Sequence, residues 1–321
     1  MRTYKNIFLG LMLTIVALSF ESCSKNFLDE PPQGKQPEEQ AFQTEEDAVA
    51  GVNAIYAIER GFDLAAFGAI AVESMASDEV EKGSTAGDAT FFNNFRNFTY
   101  TSTEGQIYAF WKGQYRAINF SNQVLDRVPA IQMDENLKAR LLAEAKFLRA
   151  YNYFRLVRAY GGVPLRLSIN DEPNLPRNAA AEVWAQIEKD LTEAAEVLPQ
   201  SYGAANLGRA TKGAAYGMLA RTWLYAASVA EYDRKQFNND PLTGVAQDKA
   251  QSYYQNAATA ADEVIKLEAE GLYTLEGSYK DVFLKGNSKE GLFTLHYIRP
   301  ASSHQFDFSY VPPPDVTGGG A

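Results

Sequence analysis

Residues 143–164 read AEAKFLRAYNYFRLVRAYGGVP, and this stretch decides the fold. Counted from Leu137, the positions Leu141, Ala145, Leu148, Tyr151 and Phe154 recur at steps of three and four, which lays one stripe along a helix. Asp134 stands where an N-cap side chain would accept a hydrogen bond from the open first-turn amides. Gly161-Gly162-Val163-Pro164 stops the helix sharply, because glycine leaves the helical region freely and proline lacks the amide donor. A short extended piece, Leu165 to Ile169, follows.

The same pattern repeats on both sides. Upstream, Thr103 with Gln106 three residues on predicts a capping box. Ile107, Phe110, Trp111, Tyr115, Ile118, Asn122 and Leu125 then share one side of a helix that Val128-Pro129 closes. Further upstream, Thr44-Glu45-Glu46-Asp47 opens a helix with Ala48, Val52 and Ile55 inward and Gly61 as its stop. Downstream, Asn178 is the expected cap of a helix with Val183, Ile187, Leu191, Ala194 and Leu198 inward, ended by Pro199. Thr211 caps the next, with Ala215, Met218, Leu219, Trp223 and Ala226 inward. Its small residues Ala214, Ala215, Gly217 and Ala220 permit a neighbouring helix to approach closely. Another helix begins near Gln251, with Ala257, Ala261, Val264, Ile265 and Glu268 inward and Gly271 at its end. One hairpin cannot cover its own apolar stripe, so the next must. The expectation is an all-α dominated chain: a tetratricopeptide-like α-α superhelix over about 104–269, without a strict ~34-residue period, plus an irregular, loop-rich ligand-binding part.

That irregular part has its own chemistry. Phe91, Phe92, Phe95, Phe98 and Tyr100 crowd together after the loop Gly83 to Asp88, with Asn93, Asn94 and Asn97 between them. An aromatic face can cover the C–H face of a sugar ring while amides take its hydroxyls. Phe91, Phe92, Asn94, Phe98 and Tyr100 are therefore the candidate ligand-binding residues. Beyond residue 270, Leu272-Tyr273-Thr274-Leu275 and Gly291 to Ile298 look extended, and Val311-Pro312-Pro313-Pro314-Asp315 and Thr317-Gly318-Gly319-Gly320 read as loop. The expectation is an incomplete C-terminal part, 270–321, of a longer product.

The first residues read as an address. Arg2 and Lys5 precede an uncharged run from Ile7 to Leu18, shorter than the ~20 residues of a comfortable membrane span. That is a signal peptide over 1–22. Ser22 precedes Cys23, the single cysteine of the chain, in a pattern that resembles the lipobox of bacterial lipoproteins. Cys23 is the expected lipidation site. Residues 23–43, with Pro31, Pro32, Gly34 and Pro37, form a tether, and 44–321 form the domain.

Composition limits the chemistry. Forty acidic against 30 basic residues give a net charge of -10, which disfavours nucleic acid as a partner. One cysteine excludes an internal disulfide. Two histidines, His296 and His304, are too few for a typical metal site. No glycine-rich phosphate cradle, Gly-x-Ser-x-Gly elbow or His-Glu-x-x-His stands in the chain. Glu73, Asp78, Glu79, Glu81 and Asp88 cluster outside the helices. Two of them could hydrolyse a glycoside if held ~5–9 Å apart, but wetting a loop or meeting a partner is the better account. No cofactor, no metal and no catalytic role are expected.

The helix motifs carry a resemblance. Cys23-Ser24-Lys25-Asn26-Phe27-Leu28-Asp29 with Pro31 or Pro32, Phe42 through Ala57, and Ala76-Ser77-Asp78 are similar to the opening of the SusD/RagB family. So are Trp111, Tyr115, Ile118 and Asn122, and above all Ala143 through Tyr151 with Tyr153-Phe154, Leu156-Val157 and Tyr160 through Pro164. Ile187, Asp190-Leu191, Ala194, Leu198-Pro199, Gly208 through Ala215, Leu219-Ala220-Arg221, Tyr273 to Leu275, Tyr279 and Phe283 continue the series. The resemblance implies a lipoprotein on the outer membrane of Bacteroidetes, held at the cell surface by its lipid beside a SusC-like TonB-dependent transporter. It implies capture of an oligosaccharide with modest affinity and its delivery to that transporter. A peptide- or glycopeptide-binding relative, a structural scaffold and a glycoside hydrolase are the alternatives.

Overall fold

A computed structural model describes residues 41–83, 85–232, 244–284 and 288–296. The signal peptide, Cys23 and the tether up to residue 40 lie outside the described residues, as does His304. From Thr44 onward the chain forms one compact unit. Its α-helices are α1 (Glu45–Glu59), α2 (Phe62–Ala65), α3 (Phe67–Ala69), α4 (Phe91–Arg96), α5 (Gly105–Arg127), α6 (Glu135–Tyr160), α7 (Ala180–Val197), α8 (Lys212–Tyr232), α9 (Ala250–Ala269) and α10 (Tyr279–Leu284). A π-helical turn, Ile70–Met75, follows α3. The architecture is all-α, and no strand is present among the described residues. The segments around Tyr273 and Leu292 are irregular, with a bend at Leu292-Phe293 where an extended piece was expected, and they do not pair into sheet, though the Thr274 amide does donate to the Lys289 carbonyl at 3.3 Å.

Consecutive long helices pack in chain order: α5 on α6, α6 on α7, α7 on α8 and α8 on α9, with α1 against both α5 and α6. α6 therefore has neighbours on three sides. Its buried positions run round the cylinder, from Leu141 and Phe147 to Leu148, Tyr153, Phe154 and Leu156. A helix with outward polar residues needs only one apolar stripe, whereas an enclosed helix buries residues all round, and in α6 these include Glu144, Arg149, Asn152 and Arg155.

The caps explain where the helices begin. Thr44 and Asp47 form a reciprocal capping box, with Asp47 accepting from the Thr44 amide at 2.9 Å. Asp134 Oδ1 accepts from the Leu137 amide at 2.7 Å, and Thr211 Oγ1 from the Ala214 amide at 3.1 Å. Two expected caps move. Glu104, not Thr103, is the N-cap of α5, because the Thr103 hydroxyl pairs with Thr101 at 2.8 Å instead. Ala179, not Asn178, is the N-cap of α7. The Asn178 amide group is used across the chain: its Oδ1 accepts from the Leu165 amide at 2.9 Å and ties the extended piece to the head of α7.

One further expectation is corrected. In α9 the inward residues are Ala257, Ala260 and Leu267, and Ile265 is 58% exposed. α9 packs on α8 alone of the long helices, so a narrower stripe suffices and its phase is set by that neighbour. Gly213 and Gly217 of α8 also admit side chains of the later segment. A β-carbon added at Gly213 would meet the Tyr273 ring within 2.6 Å, and one at Gly217 would meet Leu292 at 2.5 Å.

The α6–α7 connection is sharp because of its glycines. Gly161 has φ 71°, a left-handed value that costs a residue with a β-carbon strain. A β-carbon at Gly162 would lie 2.0 Å from the Asn178 carbonyl oxygen and 3.0 Å from the Ala180 amide nitrogen. Both are backbone atoms and cannot swing aside. Gly162→Ala is expected to destabilise the protein by ~1–3 kcal/mol, the usual range for overpacking. A denaturant midpoint equal to that of the unmodified chain would contradict this.

Candidate functional site

The loop-rich region is built on a small core of its own. Ala71 and Met75 of the π turn meet Phe92 and Phe95 of α4, with Phe67, Val72, Val80, Phe91 and Ile107 packed around them. Phe91 and Phe92 lie 4.5 Å apart, and Phe67 meets the Phe92 ring edge-on at 5.5 Å. The spacing of α4 turns Phe92 and Phe95 inward together, three residues apart on one face.

The five candidate residues accordingly divide. Phe92 is buried and offers no ring face to solvent. Phe91 is half-buried against the same cluster. Asn94 is half-buried, and its Nδ2 donates to Glu104 Oε1 at 2.9 Å. Phe98 and Tyr100 are outward, at 62% and 39% exposure. Phe98 holds a positive φ of 54°, which is uncommon for a bulky residue and found where local structure is tightly constrained. Its amide donates to the Phe95 carbonyl at 3.1 Å, and the Thr99 amide to the Asn94 carbonyl at 2.9 Å, so the chain turns tightly and lifts Phe98 off the helix end. Tyr100 then folds back and stacks on Phe95, with centroids 4.9 Å apart and planes 16° from parallel. A buried ring thus backs an exposed one.

Sequence reasoning passed over Tyr108, which is 66% exposed in the first turn of α5. Its signal was its phase, since it falls off the stripe of Ile107, Phe110 and Trp111. Sequence reasoning also missed what stands behind the region. The Arg155 guanidinium meets Glu73 of the π turn through Nε at 3.2 Å and Nη2 at 2.7 Å. Nη1 lies 3.9 Å from Glu59 Oε2. Glu59 is fully buried at the end of α1, and Asn152 Nδ2 donates to its Oε1 at 2.5 Å. Burial pushes the Glu59 carboxyl up to about 7, and the nearby Glu73 charge adds to that. The Arg155 charge and the Asn152 hydrogen bond pull the other way without cancelling it.

Three acidic side chains of the region have partners. Glu73 is bound by Arg155, Glu81 by Arg96 at 2.8 Å, and Glu104 by Asn94. Lys82 Nζ donates to the Thr85 and Asp88 carbonyls at 2.5 and 2.9 Å, which closes the loop. Among the described residues no group of three or more His, Cys, Asp or Glu is placed to hold a metal. Among them, too, no helix is long and apolar enough to cross a membrane. His296 lies against Gly208, away from the aromatic region, and its carbonyl accepts from Arg60 Nη1 at 3.0 Å. What this arrangement can do is present flat ring faces on a rigid base, beside the amides and hydroxyls of Asn97, Thr99 and Tyr100.

Comparison with known proteins agrees with the helical order. A family model for SusD-like proteins, described as starch-binding and associating with the outer membrane, matches residues 26–224. The chain is similar to SusD-like protein P2 of Formosa agariphila, at 29% identity across 99% of this chain and 57% of that protein. It is similar to a crystal structure of a SusD-like protein from Bacteroides fragilis, at 25% identity and a TM-score of 0.62, covering 83% of this chain and 48% of that one. It is also similar to a solved laminarin-binding SusD-like protein, at 27% identity and a TM-score of 0.59, covering 75% of this chain and 48% of that one. The chain spans about half the length of the relatives it matches.

Proposed function

This chain belongs to the SusD-like family, and we propose that it binds an oligosaccharide at the aromatic face of residues 91–108 without transforming it. The observation that carries the reading is the pair of outward rings, Phe98 and Tyr100, with Tyr100 braced on the buried Phe95. A preorganised ring loses little entropy when a sugar settles on it. The family description as starch-binding and the laminarin-binding relative support a saccharide as the ligand. Glu73 is committed to the buried Arg155, which takes it out of a hydrolytic pair and supports capture.

The rest of the reading follows the family. The signal peptide is removed before Cys23, which is lipidated and anchors the chain to the outer membrane at the cell surface. Residues 23–43 are the tether. The stacked helices form a tetratricopeptide-like superhelix whose outer face meets a SusC-like TonB-dependent transporter, and the captured sugar passes to it.

Calorimetric titration of the full chain with soluble starch and with laminarin tests the site. Phe98→Ala and Tyr100→Ala are each expected to weaken binding about tenfold, equal to ~1.4 kcal/mol. Phe92→Ala acts through the core and lowers thermal stability as well. Binding of peptides with neither glycan bound would overturn the saccharide reading, and release of reducing sugar during the titration would overturn the non-catalytic one.

A further inference from the structure

Arg155 lies on α6, and its ring contacts are inward, over Phe110 at 5.0 Å and Tyr151 at 5.7 Å. Its hydrogen bonds go elsewhere. Nη2 donates to the Leu64 carbonyl at 3.0 Å and to Glu73 at 2.7 Å, and Nε donates to the other Glu73 oxygen. Arg158 Nη1 adds a second cation 3.9 Å from Glu73. Glu73 is the middle of the π turn, and that turn has no side-chain cap. π turns are rare in proteins and persist where surrounding groups hold them. The residues on either side of Glu73 point the other way. Ala71 and Met75 enter the cluster with Phe92 and Phe95, and Phe95 carries Tyr100 on its face.

From this continuous path we infer that Arg155 is a positioning residue for the ligand face. By gripping Glu73 in two places it fixes the register of the π turn, and the turn sets the height and tilt of the Phe95–Tyr100 stack. The guanidinium fork matters as well as the charge, because a planar fork can meet both carboxylate oxygens at once where an ammonium cannot. The effect on ligand rests on the proposed saccharide reading. The effect on the stack does not.

Two variants of the full chain test the inference. Glu73→Gln keeps the size of the side chain and one acceptor oxygen, and Arg155 retains the Glu59 carboxyl 3.9 Å away as a counterion, with a thermal melt of each variant as the check on folding. Arg155→Lys keeps the charge and loses the fork. Amide hydrogen exchange and titration with soluble starch and laminarin are measured on both, beside the unmodified chain. Protection of residues 70–100 is expected to fall on the order of tenfold with α7 and α8 unchanged, and affinity to fall about fivefold, within the range of coupling through a packed network. Unchanged exchange over 91–100 overturns the inference, and so does looser exchange with unaltered affinity. If the unmodified chain binds neither glycan, the saccharide reading falls, and hydrogen exchange alone decides whether Arg155 sets the stack.

Discussion

Asp190→Ala is expected to lower the stability of the protein by ~3–5 kcal/mol, the range for breaking a buried ion pair from one side. Asp190 and Arg149 are both buried, and they meet through two hydrogen bonds of 2.8 Å each. Arg149 also donates through Nη1 to Asn122 Oδ1 at 2.9 Å and to the Leu167 carbonyl at 3.2 Å. One guanidinium thus joins α5, α6, α7 and the extended piece between the last two. Without Asp190, the buried cation keeps only neutral hydrogen-bond partners, with Asp126 as the weaker negative charge nearby. The loss measured is chiefly the cost of stranding that charge. Removing both charges tests this: Arg149→Met with Asp190→Leu is expected to recover more than half of the loss, because an apolar pair of similar volume needs no counterion. Urea denaturation of the single variant, the double variant and the unmodified chain decides. A double variant no more stable than Asp190→Ala would contradict the stranded-charge account.

The second large effect is a pH dependence. Burial raises the Glu59 carboxyl from 4.5 in the unfolded chain to about 7 in the folded one. Between those values the folded protein holds a proton that the unfolded chain has released. Stability from this group is therefore greatest at low pH and is lost as pH rises from about 4.5 through about 7. Each pH unit across that window removes about 1.4 kcal/mol, so the loss is about 3 kcal/mol by pH 8. Glu59→Gln removes the titration. Oε1 can still accept from Asn152, while Oε2 has no hydrogen-bond partner to lose. Arg155 keeps Glu73 as its counterion. Melting curves from pH 5 to pH 8 are expected to slope downward in the unmodified chain and to be flatter in Glu59→Gln, which should be the more stable of the two at pH 8. Parallel slopes would refute the assignment to Glu59.

The helices were legible because apolar periodicity is a local signal. Leu141 to Phe154, and Val183 to Leu198, announce themselves through spacing alone, and their caps at Asp134 and Thr211 are short-range chemistry. Where a residue had two possible partners, spacing could not choose. Thr103 took Thr101, an equally local partner two residues away, over the helix amides, and Asn178 took Leu165, which folding brings near. The aromatic face was legible in composition but not in direction. Phe92, Phe98 and Tyr100 look alike in composition; the phase of α4 sends Phe92 inward, and the tight turn after it leaves Phe98 and Tyr100 outward. Arg155 gave no local signal at all. Its partners Glu59 and Glu73 are more than eighty residues away, and both belong to other elements.

The enclosure of α6 has a consequence for how the protein is made. When a ribosome has delivered residue 160, α5 and α1 can already cover part of that helix, but Trp184, Ile187 and Leu191 do not yet exist to shield the rest. At about 5–20 residues per second, several seconds pass before the shield is complete. Throughout that interval the Phe154 ring lacks Trp184, which it meets edge-on at 5.9 Å in the folded chain, and Phe147 waits longer still, for Phe293. A holdase that recognises exposed apolar bands is expected to engage the chain at its middle.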